Sequence, residues 1–265
     1  MPDRPRTYKT EGIILRRRNI GEADTIFTVF SRREGKFDAV ARGVRKARSH
    51  MGGHLEPLSC ARMMLARGRS LDVFTQAETI AAFRGLREDL SRGAAALYCA
   101  ELIDRFTVEH AENPGLYELL LAVLDAIDTD ASVHIVRYFE IRLLSITGFD
   151  LRLDACAICD LRLPEEDTLL AGSAGGLVCR ECRSAAGGGR IISPRAIKVL
   201  RYARSARFED FLALKLDEEL GHQLQLAMAD VIRYVLEREP ATVRYVEQID
   251  RLPGASVVLP PPRVH

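Results

Sequence analysis

The 265-residue chain contains no tryptophan, only 6% aromatic residues, and no run of the about 18 apolar residues that a membrane-crossing helix needs. The opening residues, MPDRPRTYKTEG, carry charges with no apolar stretch behind them, so no secretory signal is expected and the cytoplasm is the expected compartment. Several catalytic signatures are missing as well. There is no G-x-x-x-x-G-K-[ST]: Gly35-Lys36 is followed by Phe37 and lacks the upstream glycine. G-x-G-x-x-G, H-E-x-x-H and G-x-S-x-G are also absent, and a self-contained enzyme is not expected.

The net charge of +1 hides an asymmetry. Residues 1–85 hold 17 Lys and Arg against 9 Asp and Glu, whereas the remainder holds 21 against 28. Basic residues gathered on one module are the electrostatic footprint of polyanion binding. The densest stretch is Arg42, Arg45, Lys46 and Arg48, with His50 behind it. Arg16, Arg17 and Arg18 precede a turn, Arg32, Arg33 and Lys36 bracket another, and Arg67 and Arg69 sit on a third. Cations on the turns of a small barrel would track a sugar–phosphate backbone. The aromatics able to stack on bases are Tyr8, Phe27, Phe30, Phe37, Phe74 and Phe83, several of which must be core.

Short strands with period-2 patterning are expected over Tyr8–Arg16, Ala23–Ser31, Lys36–Ala41, Leu55–Ala66 and Leu71–Ile80. Five strands in about 75 residues without helical periodicity between them fit a small β-barrel. From Leu86 the period becomes helical. Asn113-Pro114 opens one helix, a second runs from Ser132 to Thr147 and stops at Gly148, and a long late helix covers Asp217 to Glu237. Ser193-Pro194 reads as another helix start. The expected class is therefore α+β, with residues 1–82 as the barrel and 83–150 with 191–252 as a helical domain. Residues 151–190 form an inserted metal module, and the proline-rich 253–265 reads as a disordered tail.

Six cysteines are present. Cys60 and Cys99 stand in apolar surroundings and read as small buried hydrophobes. The other four form Cys156-Ala-Ile-Cys159, 19 intervening residues, then Cys179-Arg-Glu-Cys182. Two such pairs supply a tetrahedron of soft thiolate ligands, the set that zinc prefers, and a closed four-cysteine shell leaves no position for substrate. Zinc here is expected to be structural. His110-Ala-Glu112 upstream of a CxxC resembles a zinc-deaminase pattern, but Ala155 stands where that pattern has proline, and a second CxxC already completes the shell.

Gly21-Glu22-Ala23-Asp24-Thr25, Gly35-Lys36, Ala41 to Lys46 with Ser49, and the passage Ile146 to Cys156 leading into the cysteine pairs together resemble the RecO family of bacterial DNA repair proteins over about residues 7–250. The resemblance implies an OB-fold that binds single- and double-stranded DNA, a helical domain and a zinc module. It implies action with RecR to load RecA onto DNA coated by single-stranded DNA-binding protein. Annealing of complementary strands and contact with that coating protein's C-terminal tail are implied too, with the protein at the nucleoid. The reading from another class is an RNA-binding OB and zinc factor in transcription or translation.

Overall fold

The structure is a computed structural model and describes residues 6–47, 49–129, 133–238 and 240–243. Two compact units divide it: Met1–Glu88 with Ala100–Asp128, and Asp89–Cys99 with Thr129–His265.

In the first unit, β1 (Thr7–Ile20), β2 (Asp24–Ser31), β3 (Gly35–Ala41), β4 (Cys60–Ala66) and β5 (Asp72–Ala81) close a barrel in the order β1-β2-β3-β5-β4. All neighbours are antiparallel except β3 with β5. This is the five-stranded Greek-key closure of an OB-fold. Its core is Ile14, Phe27, Val29, Phe37, Ala39, Ala61, Met63, Leu65 and Phe74, all almost fully buried. Phe27 and Phe74 meet edge to face at 5.8 Å, so residues 47 apart in sequence fix opposite walls of the barrel.

Two strands differ from the sequence expectation. β1 runs four residues beyond Arg16 because Arg16–Ile20 pair with Thr28–Asp24, after a bulge near Leu15. β4 starts only at Cys60, because Gly52–His54 form a 3-10 turn and Leu58 takes φ 65°. The aromatic candidates for base stacking fall inside: Phe27, Phe30, Phe37, Phe74 and Phe83 are each at most 6% exposed.

A short helix α1 (Gly85–Glu88) leads to α2 (Leu90–Phe106), whose first ten residues belong to the second unit and whose last seven belong to the first. The first unit also holds α3 (Pro114–Thr129) as far as Asp128. Asn113 Oδ1 accepts from Leu116 N at 3.0 Å and Pro114 occupies the first helical position, as its missing N–H allows. Tyr117 of α3 packs on Phe30 and its hydroxyl lies 3.5 Å from Cys60 Sγ, so α3 covers the outer face of β1, β2 and β4. The β2–β3 turn docks on residues 109–111. His110 N donates to Lys36 O at 2.8 Å, and a Cβ on Gly35 (φ 65°) would stand 2.3 Å from Ala111 O. Only glycine fits there.

The second unit contains α4 (Val133–Ile146), a three-stranded sheet of β6 (Thr168–Ala171), β7 (Gly176–Val178) and β8 (Arg190–Ile192), then α5 (Pro194–Ser205), α6 (Phe208–Leu212) and α7 (Glu218–Leu236). The sheet order is β7-β6-β8, all antiparallel. Ser193 caps α5 by accepting from Ala196 N, and Asp217 caps α7 by accepting from Leu220 N at 2.9 Å. Each cap stabilises its helix by about 1 kcal/mol. Arg137 and Glu140 lie fully buried on α4 beside Tyr98 of α2, an ionic cluster in the core of this unit. The expected tail at 253–265 lies outside the described residues, as does the end of the helical domain beyond 243.

Candidate metal centre and nucleic-acid surface

The two CxxC turns converge. The Sγ atoms of Cys156, Cys159, Cys179 and Cys182 all lie within 4.8 Å of one another, and Cys159 and Cys179 are 3.8 Å apart. A tetrahedron with metal–sulfur bonds of about 2.3 Å has sulfur–sulfur edges of about 3.8 Å. A disulfide would need about 2.05 Å. The four cysteines therefore fit a metal ion and are not poised as two disulfides.

Local structure explains the convergence. The first turn is closed by Asp160 N donating to Cys156 O at 3.0 Å, with Asp160 in the left-handed region at φ 64°. Cys156 N donates to Leu161 O at 2.9 Å. The second turn opens a 3-10 helix over Arg180–Ala185, where Cys182 N donates to Cys179 O at 3.2 Å. Cys156, Leu169, Ala171, Val178 and Ala186 form a small apolar cluster beneath the site. Burial raises the Cys156 thiol's pKa, but backbone N–H groups of Cys159, Cys179 and Ile158 outweigh it and bring it down to about 6. Cys179 is pushed up to about 12 by burial and, beyond the opposing Cys182 N–H, by Glu181 and the neighbouring thiols. Four thiols this close cannot all ionise by themselves; a bound cation removes that conflict. The sheet β6–β8 supporting the second turn carries no strong period in strands of three or four residues, and the sequence does not disclose it.

The basic residues of the first unit separate into three groups. Arg42, Arg45 and Lys46 are exposed on the loop after β3, and this loop is held against the β1–β2 turn. Gly43 N donates to Asp24 Oδ1 at 2.7 Å, Arg45 N donates to Ala23 O at 3.0 Å, and Arg45 Nη1 reaches Gly21 O at 3.4 Å. Arg18 is exposed on the adjoining end of β1. Among the described residues no carboxylate lies within ion-pair distance of Arg18, Arg42, Arg45 or Lys46. Arg48 lies outside the described residues.

A second group is already engaged. Arg16 Nε lies 2.9 Å and Lys36 Nζ 3.1 Å from the Asp104 carboxylate, Arg17 pairs with Glu56 at 3.4 Å, and Arg32 pairs with Glu118 at 3.2 Å. Lys36 is only 12% exposed. The third group, Arg33, Arg67 and Arg69, is exposed, and Arg33 and Arg67 line one depression at the β2–β3 end of the barrel. The Arg67 guanidinium stacks 4.5 Å over the Tyr8 ring, whose hydroxyl donates to Asp72 at 2.6 Å. His110 and Glu112 line this depression, away from the four cysteines in sequence and in a different unit. Lys9 and Arg62, which the sequence did not single out, also lie on the barrel exterior; only the register that sets Glu11 opposite Arg62 brings them to one face. Among the described residues no helix is long and apolar enough to cross a membrane.

Comparison with known proteins gives these features a context. The family described as "Recombination protein O N terminal" matches residues 5–83, and "Recombination protein O C terminal" matches residues 87–244. The DNA repair protein RecO of Dehalococcoides mccartyi (strain CBDB1) is 35% identical over 247 residues, covering 93% of this chain and 97% of the relative. RecO of Roseiflexus sp. (strain RS-1) is 35% identical over 253 residues, covering 94% and 88%. RecO of Rubrobacter xylanophilus (strain DSM 9941) is 36% identical over 242 residues, covering 88% and 92%. With its barrel, its cysteine cluster and a match across nearly its whole length, the chain belongs to the RecO family of DNA repair and recombination proteins.

Proposed function

We propose that this protein is a recombination mediator that makes and breaks no covalent bond. Residues 1–82 bind single- and double-stranded DNA, residues 83–150 and 191–252 form the helical domain, and residues 151–190 hold a structural zinc ion. The barrel neutralises backbone phosphates of complementary strands and so lowers the repulsion that opposes annealing. With RecR, the protein helps load RecA onto single-stranded DNA coated by its binding protein, whose C-terminal tail it contacts. It acts in the cytoplasm, at the nucleoid.

The observation that carries this reading is the contrast in pairing. Arg18, Arg42, Arg45 and Lys46 have no carboxylate partner among the described residues, whereas on α5 of the second unit Arg195, Lys198, Arg201 and Arg204 each pair with Asp217, Glu165 or Asp154. A paired surface cation offers a phosphate little net gain; an unpaired one releases counterions when it meets one. Zinc is favoured at the four cysteines by the all-thiolate set and its tetrahedral edge length. The test is oligonucleotide binding across a salt series with DNA and RNA of one sequence in competition. Salt-sensitive binding that prefers DNA supports the mediator; preference for RNA would favour a factor of transcription or translation.

A further inference from the structure

The cationic loop leaves a second charged surface on the barrel unused. Between the outer face of β1 and β4, the β2–β3 turn and the start of α3 lies a depression of about 460 Å³ lined by Lys9, Arg32, Arg33 and Arg62 with Glu11 and Glu112. Four cations face two carboxylates. Glu11 is held by Arg62 at 2.8 Å, and Arg32 leans to Glu118 at 3.2 Å. Lys9 and Arg33 are exposed, and among the described residues neither has a carboxylate within ion-pair distance.

The surface is built rather than incidental. Ser31 Oγ accepts from Arg33 N and Glu34 N, both at 3.4 Å, which sets the turn that carries Arg32 and Arg33. Its own hydroxyl meets the buried Thr10 Oγ1 at 2.6 Å, tying that turn to the strand carrying Lys9 and Glu11. Among the described residues Pro114 is the one apolar side chain in the lining, so the depression offers no cluster of apolar side chains in which a protein partner would anchor. Four cations around this depression suit a phosphodiester backbone instead.

Position adds the rest. The loop of Arg42, Arg45 and Lys46 is fastened at Ala23, before β2, while Arg32 and Arg33 follow Ser31 at the other end of that strand. Seven strand steps separate the two places by roughly 23 Å at about 3.3 Å per residue. That is well over the Debye length of about 8 Å at physiological salt, so phosphates held at one surface do not repel those held at the other.

We propose that the depression of Lys9, Arg33, Arg32 and Arg62 is a second phosphate-binding surface, which seats the backbone of a second DNA strand while the loop holds the first. The proposal rests on the DNA-binding reading above and deepens it: the two surfaces let one barrel hold two strands without mutual repulsion.

The test uses two non-complementary oligonucleotides, one carrying a donor dye and one an acceptor, mixed with the full chain. The wild type brings the dyes together. K9E/R33E loses the energy transfer yet still binds a single labelled strand, and E112Q, which removes an opposing charge, increases the transfer. Inorganic phosphate at matched ionic strength leaves the transfer unchanged. Undiminished transfer in K9E/R33E, or no gain in E112Q, would overturn the proposal. Loss of transfer to free phosphate would assign the depression to a free anion and overturn it likewise. A wild type that binds neither strand would sink the DNA-binding reading itself, an outcome visible before any variant is made.

Discussion

Lys36 Nζ lies 3.1 Å from Asp104 Oδ1 and also donates to the Asp104 backbone oxygen at 2.5 Å, with both side chains mostly covered. A lysine at the start of β3 is thus committed to the last turns of α2 within the same unit. Burial disfavours the Asp104 carboxylate, but hydrogen bonds and charge from Lys36 and Arg16 outweigh it and hold its pKa below the ordinary range.

Replacing Lys36 should therefore cost stability and leave DNA affinity alone. K36M removes a covered partner and is expected to destabilise the barrel unit by about 1–3 kcal/mol in urea unfolding. Because the folded pKa of Asp104 is depressed, its contribution is fully present above the unfolded value of about 3.9 and disappears as pH falls through the lower folded value. The gap between wild type and K36M should shrink on acidification through that window. A K36M protein of wild-type stability but weakened DNA binding would reverse the assignment.

Gly35 should tolerate no side chain. Its φ is 65° and a Cβ would stand 2.3 Å from Ala111 O, both backbone constraints that no rotamer relieves. G35A is expected to cost roughly 1–3 kcal/mol, read as a lowered denaturation midpoint. A neutral substitution would mean that the turn does not rest on residues 109–111.

The core of the second unit should show strong coupling between Arg137 and Glu140. Both are fully buried, Arg137 Nη2 lies 3.1 Å from Glu140 Oε1, and Tyr98 donates to that oxygen at 2.7 Å, yet among the described residues none of the guanidinium nitrogens has an acceptor in hydrogen-bond geometry. Removing one partner strands the other charge, so R137M or E140L alone is expected to cost about 3–5 kcal/mol, while the double variant costs far less. Additive losses in that double-mutant cycle would show that the pair does not act as a unit.

Metal removal should affect the two units differently. One zinc ion per chain is expected, and a chelator should release it, expose the thiols of the four-cysteine site to a thiol reagent and melt the β6–β8 region, whose folding energy is then metal-binding energy. Cys60 and Cys99, both buried, should stay unreactive until global unfolding. Native metal content in a C156S/C179S variant would contradict the ligand assignment.

Local pattern made the barrel, the helix starts and the cysteine cluster legible. Alternation placed β2 and β3 within a residue, Asn113-Pro114 and Ser193-Pro194 marked two helices, and CxxC spacing alone named the four cysteines whose Sγ atoms meet within 4.8 Å. What escaped depends on distant partners. Nothing near Lys36 discloses Asp104, 68 residues away, and nothing near Lys9 discloses Arg62 across the β1–β4 pairing. Arg137 was hidden within an apolar helical stripe, because its burial depends on Glu140 and on Tyr98 from another helix.

The most direct measurement is the salt dependence of single-stranded DNA binding by wild type and R42E/R45E/K46E. The wild type should lose affinity steeply with salt. The variant should bind more weakly, with the slope reduced by about 0.7 for each phosphate it no longer neutralises. An unchanged slope and affinity in a folded variant would show that the unpaired cations beside the β1–β2 turn do not hold DNA.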